Sequence, residues 1–228
     1  MAADFNAIVL EQVARMPAGG GYAVTRDAHT ALDSAVGDAM EIRPGRAVPS
    51  YCSGATYLVF LKALKAAVGG EGLPWEALRP KGVPDGVGVW GRWNANGPGT
   101  ARLFHELGLG ENFTDPSRAR PGDFLKIFWN DAVGKKERGH LVVFLGFGDE
   151  GGVPHVRFWS SNKPGGYGEK SVPMSSVKRA IFSRVTDPSR IAGVVSLPKR
   201  DAYLAGLLEK ESNFAEALRM SGVPGGGR

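Results

Sequence analysis

The chain has a single cysteine, Cys52, so no disulfide can form within it. A disulfide-stapled scaffold is therefore excluded, and the zinc sites built on paired Cys/His spacings are missing too. There is no Walker or Rossmann glycine pattern and no aromatic–basic nucleic-acid signature, so neither a cofactor, a metal nor a nucleic acid is expected. No apolar run is long and clean enough to span a membrane. The longest, Ala55 to Val68, carries Lys62 and Lys65. The first residues, Met1 to Phe5, lack the basic start and apolar core of a signal peptide. Charge of one sign is also scarce: the net value is only +5, and the densest basic cluster, Lys135-Lys136-Glu137-Arg138, reads first as a solvated loop.

What is present suits a globular protein. The 228 residues are 43% hydrophobic and 22% charged, enough to bury one core and too apolar for a disordered chain. No linker divides them, so one domain over residues 1–228 is expected, with a core at about 45–197 and helical extensions at both ends. The 33 glycines predict many turns and long loops.

Phe5, Ile8, Val9, Val13 and Met16 fall at helical spacing behind Asp4, a suitable cap, and predict a helix over 5–16. A weaker helix is expected over 28–40. From Tyr51 to Val68 the pattern is apolar almost all round, as in a helix at the centre of a fold, with Ser50 as its N-cap and Gly69-Gly70 as its stop. Residues 70–120 are rich in Gly and Pro. Around Trp90, Trp93 and Asn94 they read as a long loop, followed by a short helix over 100–107. From Pro121 the period shortens. Strands are expected over 124–129, 140–147, 156–161, 179–184 and 191–197, then helices over 200–209 and 213–220. The Gly225-Gly226-Gly227 tail is expected to be disordered. Helices first and an antiparallel sheet or half-barrel after them make an α+β fold.

Cys52 opens the central helix, where the positive end of the helix dipole favours a thiolate, the nucleophilic form. The competing reading is a small buried hydrophobe. His140 begins a strand after Gly139 and could take the thiol proton. The imidazole then needs a partner on its other nitrogen. Strand alternation sets Val156, Phe158, Ser160 and Asn162 on one face. Ser160 and Asn162 are the leading candidates, with His155 behind them.

These residues carry a family resemblance. Ser50-Tyr51-Cys52-Ser53-Gly54 resembles the nucleophile motif of NlpC-type peptidoglycan hydrolases. Arg120-Pro121-Gly122-Asp123-Phe124-Leu125 is similar to their Pro-Gly-Asp strand start, and Gly139-His140-Leu141-Val142-Val143-Phe144-Leu145-Gly146 to their histidine strand. The related CHAP amidases share the order and end the next strand in a polar residue and an Asn, as Ser160 and Asn162 do. The resemblance spans roughly residues 45–165. It departs at Tyr51, where the family usually has Asp, in the longer separation of Cys52 from His140, and at the family's third histidine.

The resemblance implies a papain-like fold and amide hydrolysis through a thioester, often of cell-wall peptides. The catalytic residues would be Cys52, His140 and Ser160 or Asn162, and the Cys52 amide would supply part of an oxyanion hole. Tyr51, Ser53, Trp93 and Asn94 are expected to bind substrate; loop-anchoring is the plainer reading of the tryptophans. The expected partner is a peptide or peptidoglycan fragment, with a proteinaceous inhibitor as a further candidate. The protein is expected to be a monomer, exported to the periplasm or outside the cell with any signal removed or absent; the cytoplasm stays open. Two other activities compete: acyl transfer of the transglutaminase kind on the same fold, and binding without catalysis.

Overall fold

The structure is a computed structural model that describes residues 4–223. The glycine tail expected to be disordered lies outside the described residues. Asp4 accepts the Asn6 N–H and starts α1 (Phe5–Ala14); a two-residue strand, β1 (Gly19–Gly20), follows. Thr25 caps α2 (Arg26–Ala35) through the Ala28 N–H. The central helix is α3 (Cys52–Val68), ended by Gly69 at φ 79°. Then come α4 (Trp75–Leu78), α5 (Gly88–Asn94), α6 (Gly99–Leu107) and β2 (Gly110–Phe113). The sheet region comprises β3 (Phe124–Phe128), β4 (Val133–Gly134), β5 (Gly139–Glu150), β6 (Val153–Asn162), β7 (Gly166–Pro173) and β8 (Arg179–Val185). The chain closes with α7 (Ala202–Gly206), β9 (Glu211–Ser212) and α8 (Phe214–Met220). This is an α+β fold.

Seven strands form one antiparallel sheet in the order β1-β7-β6-β5-β3-β8-β2; β4 and β9 make a separate pair. The long β5–β6 hairpin turns at Gly151 and Gly152, both at positive φ, a backbone that glycine adopts freely. Alternation assigns the two faces. Phe124, Leu141, Val143 and Trp159 pack toward α3 in the larger core. Leu125, Ile127, Val142, Phe144 and Phe158 build a second cluster from the intervening positions. Eleven residues of α3 are buried, as its apolar circumference predicts.

Four expectations need correction. The central helix is capped at Tyr51, with no side-chain hydrogen bond, because the Ser50 hydroxyl donates instead to Ser161 Oγ at 2.7 Å. Trp90, Trp93 and Asn94 lie on α5, not in a loop. The run 191–197 is no strand: Pro188–Ser196 forms a 3-10 helix, with Asp187 capping at the Ser189 N–H and Pro at its start. Five strands stand where none was expected: β2, β7 and the short β1 in the main sheet, and the two-residue strands β4 and β9. The helices expected over 200–209 and 213–220 are present in shortened form as α7 and α8.

Candidate active site

α3 delivers Cys52 on its first turn, and the N–H groups that open a helix have no acceptor inside it. The sheet delivers His140 at the start of β5. In the β5–β6 pair Val143 faces Trp159, and the same antiparallel register continued to the strand ends sets Asn162 opposite His140. The side chains meet: His140 Nε2 lies 3.0 Å from Asn162 Oδ1. The Asn162 amide nitrogen is fixed in turn, donating to the Gly168 carbonyl at 2.8 Å and the Ser160 carbonyl at 3.3 Å. The carbonyl oxygen is thus the end presented to the ring. An imidazole held at Nε2 keeps Nδ1 for a second partner, and Cys52 lies near enough for the ring's charge and hydrogen-bonding capacity to act on its thiol.

Burial pushes the Cys52 thiol up. The His140 charge and hydrogen bond, the Leu141 N–H and the Lys126 charge more than offset it, leaving the thiol lowered from 9.0 to about 7. Tyr22, which pairs with Ser50 in an isolated bridge beside the helix start, also reaches the sulfur through its hydroxyl. Burial, together with the neighbouring thiolate, raises the Tyr22 phenol above its ordinary range, so it stays a proton donor.

The other expected residues fall out as follows. Ser160 does not touch His140. It is fully buried and donates to the Leu141 carbonyl at 2.8 Å, since it sits two residues from the position facing the ring. That corrects its assignment as an orienting residue. His155 is at the far end of β6, with Nδ1 2.8 Å from the Val153 carbonyl. Tyr51 lines the cleft but is tied inward, its hydroxyl 2.8 Å from His29 Nδ1. Ser53 and Asn94 hold one another: Ser53 Oγ donates to Asn94 Oδ1 at 2.6 Å, and Asn94 Nδ2 donates to Asp85 Oδ1 at 2.9 Å. Trp93 borders the cavity floor but is only 1% exposed. Its Nε1 donates to the Ser53 carbonyl and Thr56 Oγ1, so it is a packing residue and not an open substrate contact.

Cys52 and His140 open into a cavity of about 520 Å³. Its walls include five ionisable residues beyond those expected at the site: His29, Asp33, Asp85, Lys126 and Glu137. Lys126 had a visible signal, a lone charge in the apolar strand Phe124-Leu125-Lys126-Ile127-Phe128. Tyr22 had none. Among the described residues no group of three or more His, Cys, Asp or Glu has an arrangement that could hold a metal ion, and no helix is long and apolar enough to cross a membrane.

No protein-family model matches the chain, and none of the curated proteins and none of the solved structures gives a significant match.

Proposed function

We propose that this chain is a papain-like cysteine amidase or peptidase that acts through a thioester, with bacterial cell-wall peptides as its substrates. The observation that carries the reading is one constellation: a thiol at a helix N-terminus, an imidazole beside it, and a side-chain carbonyl on the imidazole's other nitrogen. A buried structural cysteine needs neither partner. The choice of cell-wall peptides rests on the Cys-Ser-Gly, Pro-Gly-Asp and Gly-His motifs.

Each group has a task. A thiol lowered to about 7 is substantially ionised at neutral pH, with its proton on His140 Nδ1. The thiolate sulfur attacks the amide carbonyl carbon, and the carbonyl π electrons move onto oxygen. The Cys52 N–H, at the first turn of α3, and the Tyr22 hydroxyl are the donors assigned to that oxyanion. The tetrahedral species collapses, the C–N bond breaks, and the imidazolium proton goes to the departing nitrogen. Water then attacks the thioester while the imidazole takes its proton. Collapse releases the carboxylic acid and restores the thiolate–imidazolium pair. Throughout, Asn162 Oδ1 accepts the Nε2 hydrogen and holds the ring plane.

The test is digestion of purified peptidoglycan by the wild type and by Cys52→Ala, with mass analysis of the fragments. New amine and carboxyl ends with the wild type alone are expected. Equal fragment patterns from the two proteins overturn the reading.

A further inference from the structure

The basic run before His140 gathers further bases around it. Phe128, the last residue of β3, pairs with Gly139 of β5 and with Arg179 of β8, so β5 and β8 both begin at the end of the sheet that carries His140. The β4–β9 pair is joined to that end. Gly134 pairs with Glu211, and the Lys135 N–H donates to the Lys210 carbonyl at 2.9 Å. Stretches far apart in the chain therefore bring Lys135, Lys136, Arg138, Lys178, Arg179 and Lys210 to one rim, and all of them are exposed.

The acids there leave this charge unbalanced. Glu137, the one acid inside the basic run, turns inward. Its side chain is 1% exposed, with Oε1 2.5 Å from Lys126 Nζ and Oε2 accepting the Gly97 N–H at 2.6 Å and the Gly134 N–H at 3.1 Å. Asp131 lies 3.6 Å from Arg179, and Glu211 lies 2.6 Å from Lys136. Lys135, Arg138, Lys178 and Lys210 form no salt bridge among the described residues, and Glu209 is the exposed acid that stands among them. A solvated loop presents both signs to water, whereas this one keeps its acid inside and its bases outside. Exposed like charges held close together repel one another, a cost to the fold that an anion laid across them removes.

The rim borders the catalytic cavity. Glu137 and Gly139 belong to the cavity wall, and the ring of the part-buried Trp129, whose N–H donates to the Arg138 carbonyl, lies 6.3 Å from the His140 ring between centroids. We propose that this rim is a docking surface for a polyanionic strand, the wall polymer that carries the substrate peptides, and that it leads the strand past Cys52. The inference rests on the cell-wall reading of the cleft. Peptide carboxylates and polymer phosphates are two sources of the same anionic chemistry. The surface takes no part in bond cleavage. It raises the local concentration of a large anionic substrate and leaves a small neutral reagent unaffected.

Binding of purified sacculi tests this apart from turnover, with Cys52→Ala as the parent protein. Co-sedimentation is measured for the parent and for the parent carrying Lys135→Gln, Lys178→Gln and Lys210→Gln together. Parent binding is expected to weaken steeply between about 0.01 M and 0.15 M salt, where the screening length falls from about 30 to 8 Å. The triple variant should bind about tenfold more weakly at low salt, the scale of three surface charges each worth a few-fold. Its thermal unfolding should match the parent's, and with Cys52 restored its iodoacetamide rate should match the wild type's. Parent binding insensitive to salt, or equal in the two proteins, overturns the proposal. Sacculi stripped of phosphate polymers by hydrofluoric acid, and sacculi with carboxylates amidated by carbodiimide, separate the two sources. Loss of binding on stripping assigns phosphate, and loss on amidation assigns carboxylate. Loss on neither overturns the proposal, as does tighter binding to duplex DNA or to phosphatidylglycerol vesicles than to untreated sacculi. The catalytic reading is judged separately. If the wild type fails to cut sacculi, that reading falls while binding still reports on the rim; if it cuts them and the triple variant binds as the parent does, the rim alone is refuted.

Discussion

At the scale of single residues, the Cys52 thiol stands between opposing pressures: burial favours the neutral form, and the cations and donors around it favour the thiolate. The outcome is measurable. Alkylation of folded protein by iodoacetamide should rise with pH through a midpoint near 7, against 9.0 for the unperturbed thiol. His140→Ala removes the chief offsetting group, so the midpoint should move up and the rate at pH 7 should fall. A midpoint unchanged by that substitution would leave His140 without its role. For turnover, loss of a general base costs about 10²–10⁴ in rate. The neighbouring pair, Ser160 and Asn162, makes a sharper comparison because both are buried polar residues on one strand. Asn162→Ala frees the imidazole and should lower kcat by about 10–100-fold, the usual worth of an orienting partner. Ser160→Ala removes only a hydrogen bond to the Leu141 carbonyl, so it should cost stability, about 1 kcal/mol, more than turnover. Kinetics and urea melts on the two variants separate these outcomes, and equal kinetic losses would count against the assignment.

At the scale of elements, α5 joins the Gly- and Pro-rich stretch over 70–120 to the core. Trp93 stacks on Phe60 at 4.6 Å between ring centroids and bonds the first turns of α3, so it fixes the helix that carries Cys52. Trp93→Ala should destabilise by about 3–5 kcal/mol, and Trp93→Phe, which keeps most of the packing, by clearly less. Equal, small losses in thermal unfolding would show that α5 contributes little. The sequence signal for α5 existed: Val89, Trp90 and Trp93 stand at helical spacing, but the glycines and Pro84 and Pro98 around them masked a seven-residue helix. The opposite error occurred at 191–197, where Ile191, Val194 and Val195 have β-branched chains that suit a strand. The stronger local information was the Asp187-Pro188 start, a helix-initiating pair. β7 stayed invisible because Gly166-Tyr-Gly-Glu-Lys-Ser-Val-Pro173 carries little apolar alternation; the backbone pairing with β6, not burial, defines it. Cys52 and His140 could be read because each lies at an element terminus beside glycine-marked motifs. The choice between Ser160 and Asn162 could not, since parity admits both and only register decides. Tyr22, Asp33 and Asp85 reach the cleft through long-range packing that no local pattern encodes.

At the scale of the whole molecule, the last stretch of chain is tied back onto the helical half by one carboxylate. Asp201 is 6% exposed, caps α7 through the Leu204 N–H at 2.9 Å, and accepts from Arg102 Nε at 3.0 Å. Arg102 also donates to the Met220 carbonyl, so the same guanidinium holds α8. Burial raises the Asp201 carboxyl, but the Leu204 N–H and Arg102 outweigh it and leave the group below its ordinary 3.8. The sign of the linkage follows. A depressed folded-state value means that the ionised carboxylate stabilises the fold above the unfolded value of 3.8, and that this contribution is lost as pH falls through the still lower folded value. Asp33 and Asp85 act the other way: their raised values favour protonation in the folded state, so mild acid should relieve them before it harms Asp201. Asp201→Asn imitates the protonated carboxyl. The variant should therefore be less stable than wild type at pH 7, and the gap between the two urea midpoints should narrow as pH drops below 3.8. Urea melts of both proteins from pH 7 into the acid limb measure that gap. A gap that stays constant with pH would mean that Asp201 contributes shape and a neutral cap, and that its charge does not anchor the C-terminal helices.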